Sequence, residues 1–237
     1  MKILAIDSSA GPASACIWED GTVVGECYTN VRLTHSQTLM PMMEGVLNYA
    51  RVSLPAIDVF AVSAGPGSFT GVRIGVASIK GVAFAAAKPC AGVSTLEAMA
   101  QNLRLTDCTA CCVMDARCGQ VYNALFTVRN GLVERLVPDR ALSIEALAQE
   151  CAALPQPIVL VGDGAVLCSK SPAFAAVGAR LAPEPVRYQH ASGVAACAAR
   201  MAQAGKLTSA AELMPVYLRP AQAQRSLKLR QQAGPAS

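Results

Sequence analysis

The chain has 237 residues, 53% of them hydrophobic and 15% charged, with a formal net charge of +4. That is enough apolar sequence to bury a core in one large domain or in two of about 100 residues each, and it excludes a disordered body. Lys80 and Lys88 interrupt the longest apolar candidate, 74 to 87, which leaves it short of the roughly 18 uncharged residues of a spanning helix, so no membrane segment is expected.

MKILAIDSSA has no signal-peptide core, and the expected location is cytoplasmic. The ten cysteines are then read in a reducing compartment as small hydrophobic residues. Cys108 and Cys111 form a CxxC, but no second pair stands at zinc-ribbon spacing, and the segment reads as a buried strand. The excess charge lies at the end: no acid follows Glu212, while Arg219, Arg225, Lys228 and Arg230 carry +4. Residues 223 to 237 read as a disordered basic tail, either solvated or in contact with phosphate.

In chain order, KILAID is a nearly continuous apolar run and ASACIWED alternates. Asp20-Gly21 makes a two-residue hairpin turn into TVVGECYTN. Ser36 is expected to cap a helix with apolar positions Leu39, Met43, Val46, Leu47 and Ala50, bent by Pro41. IDVFAVSA reads as a buried strand leading into AGPG, followed by a helix over 72 to 87. Strand PCAGV and a helix over 95 to 103, capped by Ser94, complete a βββαβαβα series.

The second half repeats this series. TACCVMDA ends a strand at Asp115 as KILAID does at Asp7, and GQVYNALFTV runs into Asn130-Gly131 as ASACIWED runs into Asp20-Gly21. The distances from Asp to turn are 13 and 15 residues. LVERLV is the third strand, Ser143 caps IEALAQECA, and PIVLV leads into Gly162-Asp163-Gly164 where the first half has Gly65-Pro66-Gly67. A helix over 192 to 204 ends at Gly205, and PVYLRP is a last strand or extended segment. The fold class is α/β: two βββαβαβα halves, 1 to 105 and 106 to 222, from an internal duplication. The layout resembles the actin-like ATPases and sugar kinases (the ASKHA fold), in which Asp7 and Asp115 would face a cleft from opposite sides.

AGPGSFTGVR offers backbone N–H groups ahead of a helix, as phosphate binding requires. It lacks the Gly-Lys-Ser/Thr of a P-loop, and its glycine spacing is one residue too long for a dinucleotide fingerprint. It is either an anion site built from Asp7, Ser8, Gly65, Gly67, Ser68 and Gly71, or a turn with a Ser68 or Thr70 cap and glycines for close packing. The small residues after it, Gly71, Gly75, Ala77 and Gly81, suit close approach of another helix, within the chain or between chains. With only His35 and His190, no HxxxH metal pair exists. His35 reads as a surface or capping residue.

The motifs ILAIDSS, HSQTLMPMMEGVL, AGPGSFTGVRIGVASIKGVAFA, GVSTLEAMA, MDARCGQVY, GDG and PVYLRP, in this order from residue 3 to about 220, closely resemble the bacterial TsaB (YeaZ) family. The resemblance implies an actin-like duplicated fold, a cytoplasmic location, and a part in making threonylcarbamoyladenosine beside the tRNA anticodon. In that pathway it assigns group transfer to the paralogue TsaD and ATP hydrolysis to TsaE, leaving TsaB as a non-catalytic partner. Where TsaD-like chains carry a metal-binding His-x-x-x-His, this chain has Thr95-Leu96-Glu97-Ala98-Met99, without either imidazole.

The resemblance also implies pairing through the first two helices, with a TsaD-like paralogue or as a homodimer. The interface positions it points to are Leu39, Met40, Met43, Val46, Leu47, Gly71, Gly75, Ile79 and Val82, Met being adaptable at such surfaces. No intrinsic cofactor or metal is expected, ATP or ADP being placed at the interface of the complex. A TsaE-like ATPase is a further partner, and tRNA is met indirectly through the complex. The alternative is an ATP-binding enzyme of the actin-like or sugar-kinase type. The roles of Asp115 and Arg117 stay open.

Overall fold

The computed structural model describes residues 1–31 and 33–219. The tail expected over 223 to 237 lies outside them, as does the last residue of PVYLRP. Asp20-Gly21 and Asn130-Gly131 both adopt positive φ at each residue, the backbone that matches strand twist in a two-residue hairpin. The first joins β2 (Ala13–Glu19) to β3 (Thr22–Thr29) and the second joins β7 (Gln120–Arg129) to β8 (Leu132–Ser143).

Each hairpin belongs to a five-stranded mixed sheet. In the first half, β1 (Lys2–Asp7) pairs antiparallel with β2 and parallel with β4 (Val59–Gly65), and β5 (Cys90–Ser94) follows β4. In the second, β6 (Cys108–Arg117) pairs with β7 and β9 (Ile158–Val161), and β10 (Arg180–Leu181) lies beside β9. The strand orders β3-β2-β1-β4-β5 and β8-β7-β6-β9-β10 are the same order in the two halves. The duplicated α/β layout expected from the sequence is therefore the observed one.

Both faces of each sheet are covered, which is why the central strands read as unbroken apolar runs. Leu4 and Ile6 of β1 face α1 (His35–Ala50) and α2 (Phe69–Ala85). Ile3 and Ala5 face α8 (Ala191–Gln203), a helix from the other half of the sequence. In the second sheet Ala110, Cys112 and Met114 face α3 (Thr95–Ala100), while Cys111 and Val113 face α4 (Ile144–Ala152) and the short helices α5 (Ala165–Ser169) and α6 (Pro172–Ala175). Helices α3 and α8 thus form a middle layer, each packed on the sheet of the opposite half. A Cβ on Gly193 of α8 would lie 2.3 Å from the Ala98 carbonyl oxygen, so this glycine permits their close approach. A cut between residues 105 and 106 separates the strands but not the packing.

Several boundaries differ from expectation. Thr34, not Ser36, precedes the first helix; its carbonyl accepts from the Gln37 N–H at 2.9 Å, and its hydroxyl turns to Gln37 Oε1 instead of capping. Pro41 sits inside α1, which runs unbroken to Ala50 with the ring exposed. Helix α2 begins at Phe69 because Ser68 Oγ accepts from the Gly71 N–H. The helix expected over 95 to 103 is α-helical to Ala100 and tightens into a 3₁₀ turn. After β9 the second half departs from its counterpart: three short helices, the third being α7 (Glu184–Arg187), surround a two-residue β10. Val216 is not in a strand, but its N–H bonds the Ala64 carbonyl at 2.7 Å, fastening the last described segment to the end of β4.

The ten cysteines are free thiols, eight of them buried. Cys108 and Cys111, three apart on one strand, face opposite sides of the sheet and so cannot grip one ion. Burial pushes the Cys168 and Cys197 thiols up to about 12, so neither is a ready thiolate.

Candidate functional site

A cleft of about 460 Å³ opens between the halves where the two glycine loops meet the ends of β1 and β6. Its walls include Ser9, Gly67, Ser68 and Thr70 from one half and Asp115, Arg117, Tyr122 and Asp163 from the other, with Tyr217 and Arg219 at the rim.

Of the six positions expected to bind phosphate, Gly67 and Ser68 line this cleft. Asp7 does not. It is 1% exposed, and its carboxylate accepts from the Ser9 N–H at 2.9 Å, the Ser9 hydroxyl at 2.8 Å and the Ser63 hydroxyl. Burial raises its pKa, against the lowering effect of those bonds. Asp7 therefore organises the loop after β1 from below and does not face the cleft, as the actin-like layout had implied. Ser8 is also buried and donates to the Gly71 carbonyl at 2.9 Å. A Cβ on Gly71 would stand 2.1 Å from the Ser8 carbonyl oxygen, and one on Gly65 2.2 Å from that of Val216. These glycines serve backbone packing. The Ser68 N–H bonds the Ser9 carbonyl at 2.7 Å, so that amide of the glycine loop is already satisfied inside the chain.

The other half supplies the cleft's charge. Asp115 Oδ1 accepts from the Arg117 N–H at 2.7 Å and Oδ2 pairs with the Arg117 guanidinium at 3.0 Å. This turn holds Arg117, Cys118 and Gly119 in three successive positive-φ conformations at the β6–β7 hairpin. Asp163 sits deeper. Burial and then the neighbouring Asp115 charge push its carboxyl up to about 6. Asp163 Oδ1 and both amide atoms of Gln189 are buried with no hydrogen-bond partner. Neither residue was singled out as a site in the sequence. The signal available was an acid between two glycines at the place where the first half has Pro66.

The expected partner positions fare differently. Leu39, Met43, Val46 and Ile79 are at most 2% exposed and belong to the core beneath the first sheet, each worth about 1.5–3 kcal/mol of burial. Gly71 and Gly75 are buried against Ser8. Leu47 and Val82 are partly buried, and of the nine only Met40 is exposed. The difference follows from helix geometry: the apolar period marks the face toward the sheet, and Met40, Tyr49 and Phe84 stand exposed outside that face.

Glu97 joins the middle layer, pairing with Arg135 at 2.8 Å and Arg200 at 2.9 Å. Thr95 and Met99, on either side of it, are buried, and Met99 Cε approaches Gly162. No group of three potential metal ligands occurs among the described residues.

Two equivalent sheets, helices exchanged between them and a cleft at the paired loops define a two-subdomain α/β protein of the actin-like class. Component A of (R)-2-hydroxyglutaryl-CoA dehydratase from Acidaminococcus fermentans shares this fold alone, with a TM-score of 0.51 and 13% identity over 86% of this chain and 99% of that one. YeaZ from Pseudomonas aeruginosa is much nearer, with a TM-score of 0.76 and 27% identity over 92% of this chain and 99% of that one. The family described as TsaD, tRNA N6-adenosine threonylcarbamoyltransferase, matches residues 29–225. The tRNA threonylcarbamoyladenosine biosynthesis protein TsaB of Bacillus subtilis is 32% identical over 234 residues, 94% of this chain and 96% of that protein. The chain belongs to the TsaB (YeaZ) family.

Proposed function

We propose that this chain is a cytoplasmic, non-catalytic subunit for the synthesis of threonylcarbamoyladenosine in tRNA, pairing with a TsaD-like paralogue and helping to recruit a TsaE-like ATPase. The observation that carries the reading is the end-to-end similarity to TsaB. The exposed surface of α1 and α2 supports it: Tyr49 is 90% and Phe84 79% exposed, on helices that also pack into the core. Thr95 and Met99 offer no imidazole where the catalytic paralogue has its histidines, so the chemistry belongs to that paralogue. ATP or ADP sits at the interface of the complex, and tRNA is contacted through the partner. Among the described residues no helix is long and apolar enough to cross a membrane.

The test combines the purified chain, the paralogue and the ATPase. Light scattering should show the homodimer giving way to a heterodimer, and Phe84→Asp should weaken both while leaving the far-UV circular dichroism spectrum unchanged. Transfer to tRNA should require the paralogue and be stimulated by this chain. Transfer by this chain alone, or a homodimer persisting on the same face beside bound paralogue, would overturn the reading. Tight ATP binding with turnover by the isolated chain would replace it with an actin-like or sugar-kinase type of enzyme.

A further inference from the structure

Residues 208 to 219 run along α2 to the cleft. Thr208 and Cys90 exchange two backbone hydrogen bonds, of 2.7 and 2.9 Å, and Ala210 and Leu213 are buried in the core beneath the first sheet. Lys80 Nζ of α2 donates to the carbonyls of Ala211 and Leu213 at 3.0 Å each. This root is held from several sides. Beyond it the polar contacts are single hydrogen bonds: the Val216 N–H to the Ala64 carbonyl at 2.7 Å, Arg73 Nε to the Tyr217 hydroxyl at 2.8 Å, and Arg219 Nη1 to the Ala116 carbonyl at 3.1 Å. Met214, Val216 and Tyr217 stand exposed. Lys80 and Arg73, seven residues apart on one helix, are separated by about 10 Å of rise, and the four residues from Leu213 to Tyr217 reach about 13 Å when extended. The segment therefore runs antiparallel to α2, from its middle to its first turn.

At that turn the segment meets both halves. The Tyr217 ring lies 4.8 Å from that of Phe69, the first residue of α2, and the Arg73 guanidinium lies 3.9 Å over the Phe69 face. A Cβ on Gly65 would fall 2.2 Å from the Val216 carbonyl oxygen, so the segment rests directly on the first glycine loop. Arg219 then crosses to Ala116 of the second half. Phe69, Ala116, Tyr217 and Arg219 all line the cleft. We propose that residues 214 to 219 are a lid on this cleft, hinged after Leu213 and latched by Arg73 of α2. Opening it breaks three single hydrogen bonds and one ring contact while the root and the cores stay intact, the pattern of a small cooperative unit of low local stability. Phe84, eleven residues beyond Arg73, shares its face of α2, so a protein covering that face also meets the latch. The lid itself does not depend on the pairing proposed above.

The test is amide hydrogen exchange of the full chain, read by NMR at Val216 in the lid and Thr208 in the root. In the unaltered chain Val216 should exchange through a local opening whose rate is nearly independent of dilute urea, while Thr208 follows a larger, urea-sensitive unfolding. Arg73→Met and Arg219→Gln should each speed Val216 exchange about fivefold, the loss of one hydrogen bond, although neither touches the bond Val216 makes to Ala64. Tyr217→Phe should reproduce Arg73→Met, because it removes the acceptor and keeps the ring contact. Thr208 should be unchanged in all three. Val216 exchange that is indifferent to Arg219→Gln, or Thr208 accelerating together with Val216, would show that residues 214 to 219 do not open as one hinged unit. In the unaltered chain, where no variant has to fold, Val216 exchanging only with global unfolding would overturn the lid as well.

Discussion

The loops Gly65-Pro66-Gly67 and Gly162-Asp163-Gly164 occupy the same place in the two halves, after the fourth strand of each sheet. Their outer glycines obey the same constraint. Gly65 and Gly162 have φ of 127° and 112°, and a Cβ on either would fall 2.2 Å or 2.0 Å from a backbone carbonyl oxygen. The middle residue and the sequel differ. Pro66 is buried and opens a 17-residue helix with a Ser68 cap; Asp163 carries a carboxyl into the cleft ahead of a five-residue helix without a side-chain cap. Backbone contacts have kept the duplicated geometry, while single side chains have given one half a packing role and the other the polar chemistry.

The largest expected effect tests the shared part. Gly65→Ala or Gly162→Ala should each cost about 3 kcal/mol or more, combining a left-handed backbone with a clash against main chain. Urea melts should show both comparably affected, and a mild loss at either site would break the equivalence of the loops.

Asp163→Asn tests the difference. The folded carboxyl titrates at about 6 against about 3.9 unfolded, so the native state holds its proton more tightly. Stability from this group is full below pH 4, declines as pH rises through 6, and by neutral pH the deficit reaches at most about 3 kcal/mol. The variant should lose that slope and gain about 1–2 kcal/mol at pH 7.5, part of the gain being offset by the amide's own unmet hydrogen bonds. An unchanged pH profile would remove Asp163 as a buried charge.

Ser68→Ala should cost about 1 kcal/mol by uncapping α2, whereas no cap exists to remove at Gly164.

The smallest effect concerns the contact that ties α8 to the first sheet. His190 stacks on Tyr28 with ring centroids 4.6 Å apart and lies 3.6 Å from Glu26, which also accepts from the Ser192 N–H at 2.9 Å. The Glu26 hydrogen bond raises the His190 pKa against the effect of burial. For Glu26 burial alone would act upward, but His190 and Ser192 bring its pKa down. The histidine's contribution is full below about pH 6.5 and lost as pH rises through its raised value. The glutamate's is full above about pH 4.5 and lost as pH falls through its lowered value. His190→Gln should flatten the loss above pH 6.5 by about 0.5–1 kcal/mol in thermal melts.

Much of the fold was legible because its signals are local. The Asp-Gly and Asn-Gly turns, alternation in the hairpins and the Ser94 and Ser143 caps act within a few residues, and their repetition revealed the duplication. The candidate site was less legible. Asp7 and Asp115 end equivalent strands, yet Ser63 and Ser9 seal the first while the second lies open. That distinction depends on Ser63, 56 residues away from Asp7. Most interface positions implied by the resemblance fell on the buried face, because the helical period reports which side is apolar and not which partner covers it.

By itself the sequence determined the two βββαβαβα series and the family, since each rests on short-range backbone preferences and ordered motifs. Only the tertiary structure decided that α3 and α8 change places between the halves, that the first glycine loop is closed by Ser8 and Ser9, and that Asp163 and Arg219 line one cleft. Those facts arise from contacts between segments up to 177 residues apart, where excluded volume and unmet hydrogen bonds set the arrangement and local pattern carries no record of it.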